Sequence, residues 1–214
     1  MTNMAPFMDF EFDTGGVTLY PRPETEFLVE KAGELLPEGN FCNILDIGTG
    51  CGNIAISLTK YIPSSKIVAL DVSVEALRIA RKNARAEGVA GKIEFINSNL
   101  FEGIRKKRYR NFFDLIISNP PYISLDDFSS LPPEVKNDPY VALYGGRDGL
   151  DFYRKIAEGA ALFLKKRGML LMEIGYAQSA AVTEILKGSG SFRKIESYKD
   201  YAGIERISKA EKNG

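Results

Sequence analysis

Histidine does not occur once in these 214 residues. Its absence removes the commonest general base, the Ser-His-Asp and Cys-His nucleophile systems, and every metal site built on imidazole. Cysteine is scarce: Cys42 and Cys51 are the only two and lack C-x-x-C spacing. They suggest neither zinc nor a disulfide framework, and read as reduced, partly buried thiols. Net charge is also missing, with 28 basic residues against 28 acidic ones, so no global field draws the chain to nucleic acid or membrane. Signal peptide, transit peptide and long apolar span are all absent from the sequence, and the expected location is cytoplasmic. No metal site is expected. Chemistry must run on carboxylates, amides, tyrosines, lysines or a cofactor's own reactivity.

What is present is an ordinary globular composition, 44% apolar and 26% charged, enough for one sizeable core. Phe10 and Phe12 alternate with acids before Gly15-Gly16 and VTLY, which reads as a hairpin or edge pair. Pro21 and Pro23 then lead into a helix with Phe27, Leu28, Leu35 and Leu36 inward. From Asn43 strands and helices alternate. Strands are expected at 43–48, 66–71, 92–97, 112–118 and 168–175, and helices at 74–88, 152–166 and 177–188. The 74–88 helix should turn Ala76, Leu77, Ala80 and Ala84 inward. Continuous apolar strands separated by helices predict an α/β fold with a mostly parallel sheet covered on both faces. Two closing strands near 192–208 predict an antiparallel edge hairpin. The expected division is a hairpin or connecting segment over 1–20, one domain over 21–208, and a frayed tail over 209–214. Residues 123–150 have little periodicity and read as a lid or binding segment.

Asp46-Ile47-Gly48-Thr49-Gly50-Cys51-Gly52 ends the first parallel strand and opens its helix. Glycines so spaced let the backbone turn tightly and a ligand come close. Asp71 ends the next strand, where a carboxylate can accept both hydroxyls of a ribose; a helix N-cap is its plainer reading. Asn53 stands where a dinucleotide fingerprint would have its third glycine. The pattern, glycines preceded by an acid, resembles the S-adenosylmethionine site of Rossmann-like methyltransferases, although NAD remains open on these residues alone. Asp46 would then face the cofactor's ammonium. Asn99 and Leu100, after the third strand, would lie against its adenine, or form an ordinary turn.

The fourth strand, FFDLIIS, stops at Asn119-Pro120-Pro121-Tyr122. Asn119 can offer its side-chain carbonyl to one N–H of a planar NH₂ group, and Pro120 its backbone carbonyl to the other. Tyr122 offers a flat face for stacking. The prolines hold both carbonyls rigid, which suits the alignment of an acceptor for in-line transfer. Carbonyl acceptors also stabilise positive charge growing on the attacking nitrogen. A rigid turn is the plain alternative.

DIGTGCGNIAI, NPPY, YPRPETEFLVE, ALYGGRDGLDFYRKI, MEIGYAQ and YAGIERI together resemble the HemK-type bacterial protein-(glutamine-N5) methyltransferases, from about Phe10 to Ser208. The resemblance implies a Rossmann-like, class I methyltransferase fold. It implies methyl transfer from S-adenosylmethionine, leaving S-adenosylhomocysteine, to the glutamine of the Gly-Gly-Gln motif in peptide-chain release factors. Gly48, Thr49, Gly50, Cys51 and Gly52 would bind the cofactor with Asp46, Asp71, Asn99, Leu100 and Asn119. Asn119, Pro120, Pro121 and Tyr122 would hold the amide, with Arg22, Glu24 and Thr25 beside the substrate. Glu173 would lie near the crevice or merely end its strand. Family members carry an N-terminal helical domain that the chain is expected to lack. A monomer acting on a protein substrate is expected, with no membrane and no direct nucleic-acid binding.

Two other readings stay open. NPPY logic also serves exocyclic amino groups of DNA or RNA, as in N6-adenine methylation, and the basic run Ile104–Arg110 would be its support. A binding module that kept the fold but lost turnover is the third, against which the intact motifs argue.

Overall fold

The computed structural model describes residues 3–36 and 39–214. β1 (Met4–Phe7) and β2 (Phe10–Asp13) form an antiparallel hairpin that buries Ala5, Phe7 and Phe12. The turn lies at Met8 and Asp9, and not at Gly15-Gly16 as expected; residues 17–20 form no strand. Met8 takes φ +52°, and its N–H donates to Glu26 Oε1 at 2.5 Å. Gly15 instead takes φ +59° in the loop after β2, a left-handed conformation that favours glycine.

α1 (Pro23–Leu35) has proline and two acids in its first turn, which suit the positive end of a helix. Its buried stripe is Thr25, Leu28, Val29 and Ala32, continued by Leu36. Phe27 and Leu35, expected inward, are only partly buried, because that i, i+3, i+4, i+7 stripe leaves them on its flanks.

β3 (Cys42–Ile47), α2 (Asn53–Tyr61), β4 (Ser65–Asp71), α3 (Val74–Ala86), β5 (Ile93–Asn97) and β6 (Phe113–Ser118) follow in βα alternation. Ala76, Leu77, Ala80 and Ala84 are buried as expected. Residues 123–150 hold three one-turn helices, α4 (Leu125–Phe128), α5 (Pro133–Lys136) and α6 (Tyr140–Leu143). α7 (Asp151–Phe163), β7 (Leu164–Glu173), α8 (Ser179–Gly188), β8 (Phe192–Lys199) and β9 (Glu205–Lys212) complete the chain. Lys165 and Lys166, read as the end of a helix, belong to β7.

The seven-stranded sheet runs β5-β4-β3-β6-β7-β9-β8. The five strands from β5 to β7 are parallel, and β9 pairs antiparallel with both β7 and β8. Strand order reverses between β3 and β6, and ligands in open α/β sheets bind outside the strand ends at such a point. One face is covered by α1, α2, α3 and the hairpin, the other by α7, α8 and the segment around Phe101 and Tyr109.

The frayed tail is overturned. Lys209 to Lys212 continue β9, Ala210 is fully buried, and Lys212 Nζ donates to Leu164 O at 2.7 Å. Strand pairing on both sides holds these polar residues in place. Among the described residues no helix is long and apolar enough to cross a membrane.

Candidate active site

Two adjoining cavities open at the carboxyl ends of the parallel strands. The first is lined by Thr18, Gly48, Gly50, Asp71, Asn99, Leu100 and Asn119, among others. The turn after β3 is tied to the neighbouring strand, Gly48 N–H and Thr49 N–H both donating to Leu70 O at 2.9 and 2.8 Å. Gly48 takes φ +75°, and a side chain there would meet nothing within 4 Å; glycine supplies the left-handed turn without cost. Asp71 Oδ2 accepts from Gly50 N–H and Oδ1 from Ser73 N–H, each at 2.8 Å. Each oxygen keeps a second lone pair for a ligand. Burial raises the Asp71 carboxyl above its usual range. The cap of α3 is Ser73, whose Oγ accepts from Ala76 N–H, so the N-cap reading of Asp71 falls. Leu100 holds φ +48°, an uncommon conformation for a branched side chain and a local strain carried at the cavity wall.

Not every residue of the glycine stretch faces this cavity. Asp46, Thr49, Cys51 and Gly52 are buried behind its wall. Gly52 is where α2 approaches α3: a Cβ would stand 3.2 Å from that of Ala80. Cys51 presents its carbonyl to Asn83 Nδ2 at 2.9 Å. Neither oxygen of Asp46, nor the Thr49 hydroxyl, has a hydrogen-bond partner among the described residues. Burial pushes the Asp46 carboxyl up to about 7. An unpartnered buried carboxylate one residue from the cavity lining is a charge deficit that a cationic group could meet, so the donor set fits an amino-acid cofactor.

The second cavity is lined by Arg22, Glu24, Asn119, Pro120, Tyr122, Leu131, Val135, Glu173 and Arg206, among others. Asn119 and Pro120 line both cavities. Asn119 Nδ2 donates to Thr25 Oγ1 at 3.0 Å, and Thr25 Oγ1 donates to Glu173 Oε2 at 2.7 Å. Tyr122 hydroxyl reaches Glu173 Oε1 at 3.5 Å. Burial pushes the Glu173 carboxyl up to about 7, and raises the Tyr122 hydroxyl well above its ordinary range. Arg22 forms an ion pair with Asp138, whose other oxygen accepts from Tyr20 N–H at 3.0 Å; this fastens the 123–150 segment over the site. Thr25 lines neither cavity and sits behind Asn119.

A family profile described as the methyltransferase small domain matches residues 23–129. A release factor glutamine methyltransferase of Moorella thermoacetica is 37% identical over 96% of this chain and 71% of that protein. One of Dictyoglomus turgidum is 42% identical over 95% of this chain and 71% of its own length. The chain belongs to the release factor glutamine methyltransferase family. Solved structures share the fold: a methyltransferase from Pyrococcus furiosus superposes with TM-score 0.68 at 20% identity, covering 92% of this chain and 86% of that one. A predicted O-methyltransferase from Agrobacterium tumefaciens gives 0.61 at 19% identity, covering 87% and 81%. The fold is that of class I methyltransferases, and the methyl donor is S-adenosylmethionine, with S-adenosylhomocysteine as product.

The longer motifs of this methyltransferase family turn out to brace NPPY. Gln178 Nε2 donates to Tyr122 O at 3.0 Å, and Gln178 Oε1 accepts from Gly175 N–H at 3.0 Å. Tyr153 hydroxyl, fully buried, bridges Glu173 O and Gln178 Oε1, both at 3.2 Å. A Cβ on Gly145 would lie 2.7 Å from Pro121 O and from Tyr122 Cα. Gln178, Tyr153 and Gly145 sat inside quoted motifs but drew no role from sequence, because nothing local joins them to Tyr122. None of residues 104–110 lines either cavity; Arg108 pairs with Glu94 at 2.6 Å. The run therefore adds nothing to the two cavities, and the relatives favour the protein-glutamine reading over the DNA or RNA one.

Proposed function

We propose that this methyltransferase methylates the side-chain amide nitrogen of a protein glutamine, that of the Gly-Gly-Gln motif in peptide-chain release factors. The observation that carries this is the sharing of Asn119 and Pro120 by two cavities: one wall serves donor and acceptor alike. Bound S-adenosylmethionine supplies an electrophilic methyl group on a sulfonium. The chain's task is then alignment and charge stabilisation, for which histidine is unnecessary.

On this reading Gly48, Gly50, Asp71, Asn99 and Leu100 hold the cofactor, with Asp71 on the ribose hydroxyls. Asp46 supplies the negative charge for the ammonium, with the neutral Thr49 hydroxyl beside it beneath the turn. Asn119 Oδ1 accepts no hydrogen bond from the described residues, so it is available to one substrate N–H. Pro120 O takes the other N–H, and Pro121 fixes the peptide beyond it. Asn119 and Pro120 would hold the nitrogen in line with the methyl group that S-adenosylmethionine would supply, the C–S bonding pair leaving with sulfur. The two carbonyls stabilise the charge on nitrogen until its proton leaves to water. Tyr122 supplies the stacking face, its ring angle limited by the hydroxyl contact to Glu173. Arg22 and Glu24 form the cavity rim that meets the flanking peptide.

The test is transfer of labelled methyl from S-adenosylmethionine to purified release factor, with a Gln→Ala change in its Gly-Gly-Gln motif as control. Incorporation should depend on that glutamine. Equal labelling of both factors would overturn the substrate assignment.

A further inference from the structure

We propose that the Glu173 carboxylate, acting through the Thr25 hydroxyl, sets the orientation of the Asn119 amide and keeps its carbonyl oxygen turned to the substrate's NH₂. This rests on the assignment of Asn119 as the amide holder. Thr25 and Glu173 are positioning residues: neither lines the cofactor cavity.

A primary amide can sit in either of two orientations, and in only one does Asn119 offer an acceptor. Thr25 alone could not choose, because a hydroxyl serves equally as donor or acceptor. The carboxylate removes the ambiguity. Being acceptor-only when ionised, Glu173 takes the single Thr25 proton at 2.7 Å. Thr25 Oγ1 then has only lone pairs left for Asn119, and the Nδ2 side turns to it at 3.0 Å. The chain carboxylate, hydroxyl, amide is polarised in one direction. Its members come from three separated elements, the start of α1, the end of β6 and the end of β7. The same carboxylate is reached directly by the Tyr122 hydroxyl at 3.5 Å, and by Asn119 only through Thr25.

Protonating Glu173 would reverse the direction. A carboxylic acid donates to Thr25 Oγ1, the hydroxyl is freed to donate to Asn119, and the amide turns its oxygen inward. The substrate then meets an NH₂ group where it needs an acceptor. Several groups face Glu173 and bear on when this occurs. Glu24 of α1 repels its charge, and Arg206 of β9 attracts it while Arg206 Nε donates to Asp200 at 3.0 Å. Tyr122 follows β6, and Tyr153 of α7 bonds the Glu173 backbone carbonyl at 3.2 Å. Burial outweighs the attraction, and the carboxyl titrates at about 7. Asp46, also at about 7, lies on the cofactor side, so saturating cofactor separates the two.

The test measures kcat on release factor at saturating S-adenosylmethionine, from about pH 5.5 to 9. Wild-type kcat should fall on the acid side. T25V should lower kcat about tenfold or more and abolish that acid limb, with the KM for cofactor unchanged. T25S, which keeps the hydroxyl, should restore kcat to within about threefold and retain the limb. E173Q, whose amide can donate as well as accept, should lower kcat by about threefold or more and lack the limb, and wild-type kcat in E173Q would overturn the relay. Wild-type kcat in T25V, a T25S protein as impaired as T25V, or an acid limb surviving in E173Q would each overturn the relay. Calorimetric binding of S-adenosylmethionine identifies a T25V protein that has not folded, in which case the T25S and E173Q profiles decide. Activity in N119A would sink the underlying assignment; an inactive N119A beside an unimpaired T25V sinks the relay alone.

Discussion

Asp46 and Glu173 are two carboxylates at the ends of parallel strands, 0% and 2% exposed, each raised to about 7 by burial. Their partners differ completely. Asp46 has none among the described residues, whereas Glu173 receives Thr25 and Tyr122 hydroxyls. A buried charge with no internal partner costs stability and keeps its full attraction for an incoming cation. One whose lone pairs are occupied spends that attraction on orienting its neighbours. The first arrangement suits the binding of a cationic group, the second the preorganisation of an acceptor.

The contrast can be broken from either side. N119A removes the acceptor on the Glu173 side and should lower kcat by about a thousandfold or more, while cofactor affinity by calorimetry stays within a few-fold. G145A forces a Cβ against Pro121 O and Tyr122 Cα. It should cost about a hundredfold in kcat/KM for release factor, again sparing cofactor binding. On the other side, D71A should weaken S-adenosylmethionine binding by about tenfold or more. An unchanged affinity would remove the ribose assignment.

The smallest effect is on stability. Asp46 and Glu173 bind protons more tightly folded than unfolded, so their contribution favours folding at low pH and is lost as pH rises through about 7. Without cofactor, thermal midpoints should rise as pH falls from about 8 to about 5. D46N should raise the midpoint at pH 8 by several degrees, flatten that dependence, and weaken cofactor binding. E173Q should flatten it as well while leaving cofactor affinity unchanged. A D46N protein no more stable than wild type at pH 8 would mean that Asp46 carries no unmet charge.

Much of the candidate site could be read from local spacing. The glycine turn, Asp71 and NPPY are short segments whose backbone demands show in residue type, and all of them end strands as expected. Where reading failed, a local signal was outweighed by packing. Gly15-Gly16 looks like a hairpin turn, but Glu26 binds the backbone at Met8 and the turn forms there. The polar stretch KAEKNG looks free to fray, yet pairing with β7 and β8 on either side carries β9 through Lys212. Asp46 and Thr49 belong to a ligand-binding pattern, and still lie behind the wall rather than on it.

Residue order alone determined the alternation of buried strands and helices, the placing of glycines and prolines at strand ends, and a chemistry without histidine. Those are properties of neighbours, set by periodicity and by the φ that each residue tolerates. The tertiary structure decided which distant groups meet. Thr25 lies 94 residues from Asn119 and 148 from Glu173, and only the pairing of β6 with β7 and the packing of α1 against β7 bring them into one hydrogen-bonded line. A hydroxyl or an amide has no direction of its own. It acquires one when a buried carboxylate from another strand leaves it a single way to bond.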